Sequence, residues 1–444
     1  MAETPPPPPQ RKSLQDLDMD TQRLILSRIP CRVDRGRISL VCRAWRDMVR
    51  SQQHMLVGRL LPQPRSLQWL LLRAPFPAGS NRVVCVLSGC RVHHYINVVP
   101  PDARCFGAHG GAWLFVDTRE PVHRAAAVNA RTGAFRNLPR ELLRRADPYV
   151  YRMVIHAAAL SSSPDDANCV GAAIVTAWQN AAPGAGPPPR RRCVALWRRD
   201  WPRAWDFVPP GQDDVSLNVE DVLYLNHNGA FAFVTQGEHI RICVPLRLSE
   251  NMLSTKWGTL RFRPGGPLYD HFVRSRYLVV SGGELLMVVR FTPHPNMPTS
   301  KFKVFRTAKR NVNDDNADFP IALYPWAWSE LDTLGGWMLF VGHGCSRSYK
   351  VDKYPGFKEG IYFLDDGKFY DDAVIFDNGN GNHYPCSDNG KWSEGQIQRC
   401  FPRSDPSVHS APVWLLPGGG DMFSDTRPAR LPSVARSLGS CGLT

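Results

Sequence analysis

Histidines, cysteines and paired carboxylates are where catalytic or metal chemistry would first show in this chain. His93-His94, His343 with Cys345, and His383 with Cys386 are its close His/Cys groupings. None has zinc-finger spacing, and a tetrahedral site takes four ligands, so they read as buried or loop side chains. Gly342-His343-Gly344 is a short glycine loop. A phosphate cradle needs G-x-x-x-x-G-K-[ST] and a dinucleotide site G-x-G-x-x-G, so this loop reads as a turn. Asp365-Asp366 and Asp371-Asp372 lack the alternating acids and closing Glu of a calcium loop. They read as hairpin-turn residues. No G-x-S-x-G nucleophile elbow occurs. A Ser-His-Asp triad is defined by geometry rather than spacing, and nothing in the sequence argues for one. The expectation is a chain that binds without catalysing, with no cofactor and no metal.

One stretch carries a binding chemistry. Between 190 and 205, Arg190, Arg191, Arg192, Arg198, Arg199 and Arg203 interleave with Trp197, Trp201 and Trp205. Guanidinium groups hold phosphates and indoles stack on bases. The cluster is local, however, and no nucleic-acid-binding fold signature accompanies it. A basic loop leading into a strand and turn, with Trp in the core, is the favoured reading. The net charge of +14 favours acidic partners in general, whether nucleic acid, acidic protein or phosphorylated protein.

Composition bounds the scaffold that must position these groups. Gly and Pro make up 74 of 444 residues, short of the ~25–30% typical of disordered chains. The protein is therefore folded and rich in turns. The longest charge-free stretch, 167–189, is apolar only over Val170–Trp178, far below the ~20 residues of a membrane span. No transmembrane helix and no membrane partner are expected. Twelve scattered cysteines without a C-x-x-C, no apolar leader and no N-x-[ST] sequon point to reduced thiols in the cytoplasm and/or nucleus.

Residues 1–12 form a Pro-rich tail, expected to be disordered, and 13–58 read as helical. Asp20-Thr21 can cap a helix carrying Leu24, Ile25, Leu26 and Ile29 and ending at Pro30. A second helix carries Ile38, Val41, Cys42, Trp45 and Val49 at helical spacing. So small a module has too little core to stand alone and is expected to need a partner. It is not expected to share a core with the rest of the chain. From 60 to 417 the texture is short β-type runs broken by turn residues. A glycine followed by an apolar run recurs at Gly111, Gly171, Gly229, Gly283 and Gly336, at intervals of 60, 58, 54 and 53 residues. A period in the 50s with several strands per unit is the pattern of a β-propeller blade. Across 60–417 it gives about six blades. Asn226-His-Asn-Gly, Asp377-Asn-Gly-Asn-Gly and Asp388-Asn-Gly supply turn chemistry. Residues 179–192 read as a flexible loop and 418–444 as a disordered tail.

The helical module resembles an F-box. Ile25-Leu-Ser-Arg-Ile-Pro30, Asp34-Arg35 and Val41-Cys-Arg-Ala-Trp-Arg46 match the family's Ile-Leu-x-Arg-Leu-Pro centre and its Val-Cys-Arg-x-Trp-Arg block. It departs where the family has Leu-Pro, here Leu17-Asp18, and Leu-Leu, here Thr21-Gln22. The remainder is similar to the KIB-type β-propeller that follows the F-box in a large plant family. That likeness is densest in Phe340-Val-Gly-His-Gly-Cys-Ser-Arg-Ser, Gly360-Ile-Tyr-Phe-Leu-Asp-Asp366 and Pro412-Val-Trp-Leu-Leu-Pro417.

The two resemblances imply a mainly β fold: a propeller of about six blades preceded by a small α-helical F-box module. They further imply a substrate-recognition subunit of a Skp1-cullin-F-box ubiquitin ligase. The implied adaptor-binding residues are Leu17, Leu24, Ile25, Ile29, Pro30, Leu40, Val41, Cys42 and Trp45. The partners would be a Skp1-type adaptor, through it a cullin, and an unidentified protein substrate, with nucleic acid not favoured. Between 11 and 60 there are 11 basic and 5 acidic residues, a balance suited to an acidic adaptor. The alternative is a propeller binding module whose degenerate F-box engages no ligase. A propeller hydrolase or lyase would require a carboxylate or metal cluster at the central channel.

Overall fold

The structure, a computed structural model, describes residues 17–29, 31–54, 67–72, 81–86, 94–96, 99–100, 103–110, 112–118, 124–144, 147–179, 189–199, 201–206, 218–249, 252–263, 272–311, 313, 315, 318–354, 356–366, 384, 386–401 and 410–415. Both expected tails, Pro30 and most of the 179–192 loop lie outside these residues.

Three helices come first among the described residues: α1 (Met19–Ser27), α2 (Arg32–Ile38) and α3 (Arg43–His54). Helix α1 starts earlier than the Asp20-Thr21 pair suggests, because Asp18 is the cap. Its Oδ1 accepts from the Thr21 backbone N–H and its Oδ2 from the Thr21 hydroxyl, both at 2.8 Å. The expected second helix is two. The chain turns through Ser39–Val41, where Leu40 and Val41 donate to the Arg37 and Ile38 carbonyls. These tight i→i−3 bonds end α2. Leu26, Trp45 and Met48 form the module's own core, with Ile25, Ile38, Cys42 and Val49 packed against it.

The module also joins a core of the β domain, contrary to the expectation of independence. Cys31 is buried with Leu67, Leu70, Cys85 and Trp414, and its Sγ lies 3.7 Å from that of Cys85.

Among the described residues the strands make five open sheets and one closed one. The first open sheet holds Trp69–Leu72, Asn81–Cys85 and His94–Ile96, completed by Val413–Leu415 from the far end of the chain. The second runs from Arg104 to Asn137, the third from Val219 to Leu260, the fourth from Phe272 to Glu330 and the fifth from Trp337 to Gln398. Each has four strands except the fifth, which has five. Between the second and third, strands within 141–206 close on themselves, because Arg203–Asp206 pairs in parallel with Glu141–Arg144. The blade count is therefore five, not six. The repeat arithmetic treated Gly171 as one more blade opening, and periodicity along the chain does not register a parallel pairing 62 residues apart.

Every glycine-led run lies inside a sheet, hydrogen-bonded on both sides, in Trp113–Thr118, Val170–Trp178, Ala230–Thr235, Glu284–Thr292 and Trp337–Phe340. The glycines serve different ends. Gly282 and Gly283 take φ of +60° and +86° in the tight turn joining two strands. Gly171 instead makes room, since a Cβ there would lie 2.2 Å from the Trp197 ring. That indole fills the core of the closed sheet.

Candidate functional site

The implied adaptor-binding residues separate by burial. Leu24, Leu40 and Val41 are exposed at 52%, 75% and 54%, joined by Met19 at 58%. Leu17, Ile25, Ile29 and Cys42 are half-buried, and Trp45 is buried in the helical core. Because Val41 stands in the turn before α3, it does not share a helical stripe with Trp45. Residues that depart from the F-box pattern have structural roles of their own. Asp18 caps α1, and the buried Gln22 donates from Nε2 to the Leu17 carbonyl at 2.9 Å.

The second concentration of polar groups lies where the sheets converge. The Gly342–Ser346 loop meets most of them. The Gly344 N–H donates to Asp221 Oδ1 at 2.7 Å, and a Cβ on Gly344 would lie 2.5 Å from the Ala158 carbonyl oxygen. With φ at +72°, this position takes glycine for both space and backbone. Asp221 also accepts from the Val222 N–H at 2.8 Å and the Leu278 N–H at 2.7 Å. Burial pushes its carboxyl up to about 8, against the pull of those three donors.

His343 is buried between two carboxylates, Nδ1 4.0 Å from Asp221 and Nε2 3.8 Å from Asp366. Burial lowers its pKa, outweighing the nearby Asp366, so the ring is neutral at pH 7. Next to it stands Arg290, fully buried. Arg290 donates to Asp366 Oδ1 at 2.7 Å, Asp388 Oδ2 at 2.8 Å, the Leu364 carbonyl at 2.6 Å and Thr299 Oγ1 at 2.7 Å. The Tyr277 hydroxyl donates to Asp366 at 2.8 Å. Burial works against the Arg290 charge, but Tyr277, Asp366 and Asp388 hold it above its ordinary range.

Asp365, Asp366 and Asp388 are thus buried acceptors within one network. Asp365 accepts the Ser387 and Asp388 N–H groups at 2.9 and 2.8 Å. Sequence reading missed Asp221, Tyr277, Arg290 and Thr299, whose partners lie far along the chain; Arg290 and Asp388 are 98 residues apart. One signal was present: Arg290 interrupts the apolar strand ELLMVVRFT, and a charge buried in such a run requires partners. Asp371, Asp372, His93 and His383 lie outside the described residues.

Carboxylates therefore do gather at the centre, but backbone N–H groups and Arg290 engage them. Among the described residues, no group of three His, Cys, Asp or Glu is placed to hold a metal ion. The neighbouring cavity, lined by Cys105, Gly107, His343, Cys345, Asp366 and Val413, has about 30 Å³. That is room for one or two waters and not for a substrate. Of the Arg/Trp cluster, Trp197 is core and Trp201 and Trp205 are half-buried. Among the described residues, no helix is long and apolar enough to cross a membrane.

Residues 87–384 match the family model of the KIB1-4 beta-propeller, 298 of the chain's 444 residues. The chain belongs to this family. Residues 14–55 match the F-box domain, so the helical module carrying Leu24, Leu40 and Val41 is the F-box of a KIB-type F-box protein. No curated protein matches the chain. F-box domains mediate attachment to Skp1-type adaptors and cullins. An F-box joined to a KIB propeller is accordingly a non-catalytic adaptor architecture, and the polar centre is the element that ties its sheets together.

Proposed function

We propose that this KIB-type F-box protein is the substrate-recognition subunit of a Skp1-cullin-F-box ubiquitin ligase. Its F-box would hold the adaptor and its propeller would bind the protein to be ubiquitinated. The observation that carries this is the exposure of Met19, Leu24, Leu40 and Val41. They are four of the ten large apolar side chains exposed among the described residues, and all fall within 23 residues of sequence. Apolar side chains held in water on a small folded module mark a protein interface. The catalysis is that of proximity: lysines of a bound target are brought to a charged conjugating enzyme at high effective concentration. The ligase would work in the cytoplasm or nucleus, the compartments to which scattered cysteines without a C-x-x-C point.

The test is adaptor binding by titration calorimetry with the full chain. Leu40→Ala and Val41→Ala each remove apolar contact from an exposed position, so the fold is spared. Each should weaken binding about 5- to 30-fold, the ~1–2 kcal/mol of a hot-spot truncation. Absence of adaptor binding by the folded wild-type chain would leave the degenerate F-box reading in its place.

A further inference from the structure

The propeller has two ends, and the F-box occupies one of them. The strands Arg104–His109, Asp147–Leu160, Val219–Leu225 and Phe272–Ser281 stand side by side, the first, third and fourth as the inner edges of open sheets and the second within the closed one. They run the same way. Glu220 and Asp221 accept in turn from the N–H groups of Arg276 and Leu278. Arg104 donates to the Ile155 carbonyl, and three residues further on, Gly107 and Ala158 meet one loop at His343 and Gly344. In the first sheet the corresponding strand is Val413–Leu415. Cys85, which touches Cys31 of the F-box, pairs with Trp69, and Trp69 pairs with Leu415. The F-box therefore sits toward the finishing end of the inner strands.

The starting end carries a different surface. Tyr149 and Val150, near the start of Asp147–Leu160, are exposed at 63% and 40%, and Phe272, the first residue of its strand, at 52%. Phe272 pairs with Thr292, which leads into the turn bearing Met297, exposed at 50%. Exposed guanidinium groups stand beside Tyr149 and Val150. Arg152 follows Tyr149 and Val150 on the same strand, and the Arg140 carbonyl accepts from the neighbouring Met153 N–H at 3.1 Å. Both side chains are exposed. Glu141, opposite Arg152 in the sheet, is already engaged by Arg203 at 2.8 Å.

We infer that this end of the propeller docks a protein segment that carries acidic and large apolar side chains together. The apolar groups supply buried area, and Arg140 and Arg152 supply the charge complementarity that selects an acidic partner. The inference rests on the receptor reading for its biological sense, since a ligase held at one end leaves the other for the target. Its physical basis is independent.

The test uses the full chain and four fluorescein-labelled probes. Three are peptides of about twelve residues, long enough to span neighbouring strand ends, built from Glu with Phe and Leu, from Lys with Phe and Leu, and from Glu with Ser and Gly. The fourth is a single-stranded DNA of similar length. Fluorescence polarisation should show the Glu/Phe/Leu peptide binding about tenfold tighter than the other peptides, and more weakly as salt rises. Arg152→Glu with Phe272→Ser, both at exposed positions, should weaken it about tenfold or more. Leu40→Ala should not change it. Equal binding of all peptides, no effect of the double variant, or preferential binding of the DNA each overturns the proposal. Adaptor binding measured on the same samples keeps the two readings apart. Adaptor binding without peptide binding sinks only this surface, and the reverse sinks only the ligase reading.

Discussion

Arg290 shows how a single residue can hold a ring together. Fully buried, it draws Asp366 and Asp388 of the fifth sheet to a strand of the fourth through bonds of 2.7 and 2.8 Å. Replacing it by Met removes the countercharge and leaves two carboxylates in the core. Breaking a buried ion pair from one side costs ~3–5 kcal/mol, so Arg290→Met should lower the urea midpoint steeply or abolish folding. Asp221 gives the centre a pH dependence. Its folded pKa, about 8, lies above the ordinary 3.8 because burial disfavours the charge. Its neutral form suits the folded state, so stability is greatest below the unfolded pKa and is lost as pH rises toward 8. His343, with its pKa lowered by burial, is neutral when folded, and its unfolded form sheds its proton by about one pH unit above 6.5, so the Asp221 contribution is read between about pH 7.5 and 8.5. Urea midpoints should fall across that window. Asp221→Asn, which keeps one acceptor oxygen without a titrating group, should flatten the slope.

At the scale of elements, α1 tests how its family departures are accommodated. Asp18→Ala removes a cap to Thr21 and should cost ~1 kcal/mol, readable as a lower thermal midpoint of the helical module. Restoring the family pattern with Asp18→Pro, Thr21→Leu and Gln22→Leu removes that cap and the Gln22–Leu17 bond. It should therefore tighten adaptor binding only if the new leucines reach the adaptor. The short apolar runs made the strands legible, but the reading of each glycine-led run as one more blade fails at Gly171, which lies in the closed sheet. Pairing between distant segments was not legible. The closure of the sheet over 141–206 depends on Arg203–Asp206 finding Glu141–Arg144, and neither four-residue segment announces its partner. Likewise the break in the second helix has no proline or glycine at the turn to signal it. The apolar spacing of Val41 and Trp45 suits a continuous helix, and the i→i−3 turn at Leu40 and Val41 overrides it. The F-box module could be read because local motifs carry it. The polar centre could not, because its members come from strands far apart in sequence.

At the scale of the molecule, closure of the ring rests on residues 410–415 near the chain's end. Val413–Leu415 pairs with Trp69–Leu72, so the first sheet is incomplete until the last strand arrives. Three contacts fix that strand. Ser410 Oγ accepts from the Cys105 N–H at 2.9 Å and donates to the Cys105 carbonyl at 3.1 Å, across 305 residues. Trp414 Nε1 donates to the Val341 carbonyl at 2.9 Å, and its indole is buried against Phe340 and Phe401. Joining ends so far apart in sequence is entropically slow, yet once made it ties the fifth sheet to the first. The same cluster contains Cys31, so the seam of the ring is also where the F-box is attached. A chain ending at His409 lacks the closing strand altogether. It should lose the cooperative urea transition and expose the Trp69–Leu72 edge, seen as aggregation in light scattering. A chain ending at Gly420 keeps the strand and should unfold at the wild-type midpoint. The point variant Trp414→Ala removes the indole while keeping the backbone pairing, and should cost ~3–5 kcal/mol as a large buried aromatic. If the chain ending at His409 unfolds as cooperatively as wild type, closure by the last strand is not what stabilises the ring.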